Sequence, residues 1–250
     1  MSLVRVDTRE GGVALVALDR PRANAFSPDL IADLTRAIAA AADAPALVLA
    51  SSQPLFSAGW DLPAARALAR GDMARFLADF CGLVRAIFAF EAPVVAALPG
   101  HAIAGGLIVA AAADERIAAE GKGELGLSEV ALGVPIPRSC YEVFRHVLGE
   151  RGAERLAAAG DNVSVARAFE IGLVDRVVPA ADLLDAALDR ARQLAGRSRA
   201  AYAEIKRRAR AAALVRFDAA AEADPFLDFW FSAEAQRRIH ALVERLTKRA

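Results

Sequence analysis

The chain has 250 residues, 56% of them hydrophobic, with Lys+Arg and Asp+Glu balanced at 31 each. That length is enough for a substantial buried core. The charge balance excludes a global basic field for nucleic acid, and no uninterrupted apolar stretch reaches the ~18–20 residues of a membrane span. Two cysteines, Cys81 and Cys140, stand outside any Cys-x-x-Cys spacing and read as free buried thiols with no metal between them. The opening MSLVRVDTRE lacks a basic region followed by a long apolar one, so no secretory signal is expected. These features predict a cytoplasmic globular protein without a metal, a membrane anchor or a nucleic-acid partner.

In chain order, Leu3 to Asp7 and Val13 to Leu18 flank Glu10-Gly11-Gly12 and predict a hairpin. Ser27 is placed to cap a helix with Pro28 at its first position, and Leu30, Ile31, Leu34 and Ile38 follow at helical spacing. Leu47 to Ala50 predicts a short buried strand, and Met73 to Glu91 an amphipathic helix. Arg116 to Ala119 predicts another strand. Tyr141 to Leu148 and Glu150 to Ala159 predict helices stopped by Gly149 and Gly160. A short helix over Val165 to Ile171, ended by Gly172, precedes a strand over Leu173 to Val178. From Ala181 onward the sequence is helical, with breaks near Gly196 and Pro225. Strands alternating with helices predict an α/β fold, divided as a core over 1–196 and a helical lobe over 197–250.

The stretch organising the chain is APVVAALPGHAIAGGLIVAAAAD, residues 92–114. A β-branched run, a glycine-bearing turn and an apolar segment from Leu107 to Ala113 predict a buried strand, a turn and a buried helix. Unpaired N–H groups at such a turn can hold an anion, or an oxygen that becomes one during a reaction. FSAGWDL, residues 56–62, is a second turn suited to close approach of backbone and ligand.

FSAGWDL followed some forty positions later by APVVAALPGHAIAGG resembles the enoyl-CoA hydratase/isomerase (crotonase) family. LDRPRANAFSPDL, GLSEVALGV and VARAFEIGLVDRVVP resemble further segments of the same family, in register over about residues 3–180. The resemblance implies a crotonase-like spiral of ββα units, a trimer or dimer of trimers, and an acyl-coenzyme A thioester as substrate, with no separate cofactor. It implies an oxyanion hole from the N–H groups of Ala58 and Gly105; Ser57, Trp60, Asp61 and Ile108, by their positions in or after these turns, are candidates for contact with the substrate. Two fixed N–H donors stabilise an enolate oxygen without reorganisation during reaction.

The family's hydratases carry a glutamate three positions after the oxyanion glycine. Ile108 stands there and cannot transfer a proton. Their second glutamate corresponds to Glu129, which is present in GLSEVALGV. Adding water across a double bond is served by two carboxylates, whereas shifting a double bond needs one base that removes and returns a proton. GLSEVALGV and AGGLIVA also resemble the matching segments of mitochondrial-type Δ3,Δ2-enoyl-CoA isomerases. Ala131, where dienoyl-CoA isomerases carry an aspartate, argues against that group.

Asp61 reads as a helix cap and His101 as a hydrogen-bonded structural residue. Arg138 follows Pro137 where the family often has glycine, and is a candidate partner for a substrate carboxylate or for Glu129. Lys206 lies in a charge run, Lys206-Arg207-Arg208, that reads as a solvated helix face. The resemblance makes Lys206 a candidate contact for coenzyme A phosphates. Phe226, Phe229, Trp230 and Phe231 read as core or subunit packing. The alternatives to an isomerase are a hydratase or decarboxylase of the same fold, and a non-catalytic acyl-CoA-binding protein.

Overall fold

Strands buried on both faces explain the near-continuous apolar runs of the first half of the chain. The computed structural model describes residues 2–21, 23–221 and 224–248. Its main sheet has the order β1-β2-β3-β4-β6-β9, formed by β1 (Val4–Thr8), β2 (Ala14–Leu18), β3 (Leu47–Ser51), β4 (Val94–Leu98), β6 (Glu115–Ala119) and β9 (Arg176–Val178). Within this sheet β1 and β2 pair antiparallel, as the hairpin reading requires, and the other pairs are parallel. Val94, Ala96 and Leu98 of β4 face one hydrophobic cluster, and Val95 and Ala97 face another.

The first cluster is closed by α1 (Pro28–Ala40), α3 (Arg70–Phe88), α4 (Gly105–Ala111) and α5 (Arg138–Ala159). The second is closed by α7 (Leu183–Ala195) through Leu183, Ala187, Leu188 and Ala191. Ser27 caps α1 as its sequence position predicts, its hydroxyl accepting from the Leu30 N–H at 3.3 Å. Helix α5 is broken at Gly149, whose φ of 71° and ψ of 172° interrupt it where the sequence predicts a stop.

A second, small sheet of order β5-β7-β8 joins β5 (Ala102–Ile103), β7 (Glu124–Gly126) and β8 (Asn162–Ser164). These strands have two or three residues and lie where the sequence reading places no strand. The short helices α2 (Leu62–Arg66) and α6 (Val165–Glu170) follow the FSAGWDL loop and β8. The tail comprises α8 (Arg199–Ala221), α9 (Phe226–Trp230) and α10 (Ala233–Thr247). Phe217, Phe226, Trp230, Ala235 and Ile239 of this tail belong to the first cluster, so residues 197–250 share the core of the preceding stretch. Among the described residues no helix is long and apolar enough to cross a membrane.

Candidate active site

Three chain segments run side by side in one direction and deliver the candidate residues to one edge. Ser57 bridges Ala102 in parallel, and β5 pairs in parallel with β7, with Ile103 opposite Gly126. The Ile103 N–H donates to the Ser57 carbonyl at 3.0 Å, and the Ala104 N–H to the Gly126 carbonyl at 2.7 Å. The residues that follow each segment, Ala58 to Trp60, Gly105 and Glu129, therefore leave the small sheet at the same end. Ala104 makes the turn into α4 at φ 49° and ψ −122°, a conformation costly for a residue with a Cβ.

Ser57 is fully buried, and its hydroxyl donates to the Asn24 carbonyl at 2.8 Å while accepting from the Gly59 N–H at 3.1 Å. It is a scaffold residue of the loop and presents no free polar group to a substrate. Gly106 packs directly on it: a Cβ there would lie 2.6 Å from the Ser57 carbonyl oxygen and 2.8 Å from its Cβ. Backbone cannot yield as a flexible side chain can. Gly106→Ala is expected to destabilise the fold by about 2 kcal/mol or more, read as a lower midpoint in urea unfolding. An unchanged midpoint would contradict this packing.

Of the donors in FSAGWDL, most are already taken. The Ala58 N–H donates to the Ala23 carbonyl at 3.0 Å, and the Asp61 N–H to the Phe26 carbonyl at 2.9 Å. The expectation that Ala58 supplies an oxyanion donor is thus corrected, because its N–H is spent on the loop before α1. The Trp60 N–H has no hydrogen-bond acceptor among the described residues, and neither has the Gly105 N–H. The two loops that carry these donors pack together: a Cβ built on Gly59 would lie 3.4 Å from the Gly105 backbone nitrogen, and one built on Gly105 would meet the Trp60 ring at Cδ1, 2.8 Å away. The sequence reading places Trp60 as a wall of the substrate site and misses its backbone. The acceptor that silences Ala58 comes from Ala23, held at φ 66° beside Asn24 at φ 48°. Asn24 fixes this loop by donating to Ser51 Oγ at 2.8 Å and to the Phe56 carbonyl at 3.0 Å.

Glu129 is 8% exposed, and its Oε2 has no hydrogen-bond partner among the described residues. Burial pushes its carboxyl up to about 7, against a weaker opposing pull from its own backbone N–H. Ile108, 1% exposed in α4, provides no second acid. No group of three His, Cys, Asp or Glu suited to a metal ion occurs among the described residues.

Around the open donors lies an aromatic cluster. The Trp60 ring meets Phe76 at 4.9 Å, Phe80 and Phe226 at 5.4 Å, and Trp230 at 5.9 Å between centroids. Phe226 and Trp230 are core residues of the tail, as their apolar run predicts, whereas Phe229 is half exposed.

The remaining candidates are placed apart from these donors or held by other partners. Asp61 caps α2, accepting from the Ala64 N–H at 3.1 Å, and pairs with Arg20 at 2.5 Å. Arg138 is exposed at the first position of α5, where its N–H donates to Asp224 Oδ2 at 2.7 Å. His101 is structural: its Nδ1 accepts from the Glu124 N–H at 3.2 Å. Lys206 is 8% exposed, and its ammonium donates to Asp114 at 2.7 Å and to the Ala92 carbonyl at 3.2 Å. Burial lowers it to about 8. The reading of Lys206 as a phosphate contact is corrected by this pairing: the charge run has two exposed members, Arg207 and Arg208, and a buried one.

The family model for enoyl-CoA hydratase/isomerase matches residues 8–249 of the chain. The enoyl-CoA isomerase/hydratase fer4 of Mycosarcoma maydis is 31% identical over 195 residues, covering 73% of this chain and 71% of its own. Carnitinyl-CoA dehydratase of Salmonella paratyphi A is 32% identical over 203 residues, covering 80% and 77%. The crystal structure of human mitochondrial delta3-delta2-enoyl-CoA isomerase superimposes with a TM-score of 0.92 at 26% identity, covering 99% of both chains. With its parallel sheet, small sheet and helical tail, the chain belongs to the enoyl-CoA hydratase/isomerase family, and its fold is the crotonase spiral.

Proposed function

We propose that this protein shifts the double bond of a 3-enoyl-CoA to give the 2-trans-enoyl-CoA, with Glu129 as the single base. The Glu129 carboxylate removes a proton from the α-carbon, and the double-bond electrons redistribute into a dienolate. The N–H groups of Trp60 and Gly105 hold the dienolate oxygen. Protonated Glu129 then returns the proton to the γ-carbon, so that no atom is gained or lost. The observation that carries this reading is the buried Glu129 carboxyl, whose Oε2 has no partner among the described residues, with Ile108 where a second acid would stand. A carboxyl near 7 is a good proton carrier at neutral pH because both of its forms are accessible. A water-adding mechanism lacks its second carboxylate. We further propose a cytoplasmic trimer or dimer of trimers, with residues 197–250 covering the acyl pocket carried by 1–196.

Mixing the protein with a 3-enoyl-CoA is expected to produce the conjugated-thioester absorbance. kcat/KM should rise with pH to a plateau through a value near 7, as the Glu129 carboxylate forms. Absence of the absorbance in a protein that still binds acyl-CoA would overturn the proposal.

A further inference from the structure

Two buried side-chain donors of the aromatic cluster, one of them beside Gly105, have no acceptor among the described residues. The indole N–H groups of Trp60 and Trp230 are buried without a hydrogen-bond partner among the described residues. Trp230 is 1% exposed, so bulk solvent does not reach it. The Trp60 Nε1 lies 3.0 Å from the position of a Cβ on Gly105, immediately beside an open backbone donor. Their neighbours are rings: Phe76, Phe80 and Phe226 meet Trp60, and Phe226 stacks on Trp230 at 5.9 Å and 22°. Ring faces are weak acceptors and do not return the desolvation cost of an indole N–H. Phenylalanine would fill a hydrocarbon-binding wall at either place without that cost. Two tryptophans with idle N–H groups in one cluster point to a ligand that completes them.

We propose that Trp60 and Trp230 select an acyl-CoA whose acyl group carries a neutral oxygen acceptor, such as an ether, hydroxyl or oxo group. This rests on the reading of Trp60 and Gly105 as the carbonyl site, since the acyl group leaves that carbonyl along the aromatic wall. The oxygen is neutral because a carboxylate would be desolvated among rings. The two indoles then act as donors to the acyl oxygen, and the rings pack its carbon neighbours.

The test is binding and needs no turnover, so failure of the isomerase reading leaves it standing. Dissociation constants are measured calorimetrically for a series of saturated acyl-CoAs of one length. In each, an ether oxygen replaces a different methylene from C3 to C8, and the all-carbon thioester is the reference. At least one oxygen position is expected to bind about tenfold or more tighter than the reference, the worth of a hydrogen bond to a buried donor. Trp60→Phe and Trp230→Phe, which keep a ring and lose the N–H, should each bring that ratio towards one. Should no position improve on the reference in the wild-type protein, the proposal is overturned, whatever the variants do. A preference that survives both substitutions also overturns it. Binding of no thioester at all overturns the proposal together with the acyl-CoA site on which it rests.

Discussion

Glu129→Gln is expected to lower kcat for isomerisation about a thousandfold while acyl-CoA affinity stays within a few-fold. Glutamine keeps the side chain's length and its buried position but cannot carry a proton. The same variant has a stability signature. The folded-state value near 7 lies above the ordinary 4.5, so between pH 4.5 and 7 the folded protein holds a proton that the unfolded chain has released. Stability from this group is complete below pH 4.5 and is lost as pH rises through about 7. The loss is on the order of 3 kcal/mol. Glu129→Gln should therefore raise the melting temperature at pH 8 and leave it nearly unchanged at pH 5. Equal effects at the two pH values, measured by calorimetry, would contradict the raised titration of this buried carboxyl.

The largest stability effect is expected at Asp114, which closes the central apolar stretch. Its carboxylate pairs with Lys206 at 2.7 Å and Arg210 at 2.8 Å, and accepts from the Val94 N–H at 2.7 Å. Arg210 in turn donates to the carbonyls of Ala112 and Ala113 at 3.3 Å and stacks on Phe88 at 4.2 Å. The network thus ties α8 to the start of β4 and the end of α4, whose first residue is Gly105. Asp114→Ala leaves two buried cations without their anion. Removing one partner of a buried pair costs about 3–5 kcal/mol, or a melting temperature lower by on the order of 10 °C in a chain of this size. Adding Lys206→Met removes one stranded cation and should recover part of the loss. A double variant less stable than Asp114→Ala alone would contradict the network.

Much of the site's placement was legible in the residues. Val94 and Val95, then Gly105 and Gly106, announce a strand, a turn and a helix because β-branched runs and glycines mark those states independently of context. The hairpin, the Ser27 cap and the Gly149 stop were legible for the same local reason. What stayed hidden depends on distant partners. The strands β5, β7 and β8 are too short for a periodic signal and exist because each pairs with another. Whether Ala58 or Trp60 keeps an open N–H is decided by the Ala23 carbonyl, which binds Ala58 across the fold. Lys206 looks like its exposed neighbours Arg207 and Arg208, and only Asp114, far away in sequence, sets it apart.

The central claim is a double-bond shift through one glutamate, and the product formed in deuterated water tests it most directly. A 3-enoyl-CoA is incubated with the enzyme and the product is read by mass spectrometry and NMR. The expected product is the 2-trans-enoyl-CoA of unchanged mass wherever Glu129 returns the proton it removed, and a proton exchanged with solvent while on Glu129 appears as a single deuterium at the γ-carbon. A product heavier by one water, or lighter by carbon dioxide, or a 3-enoyl thioester recovered unchanged, would contradict the account.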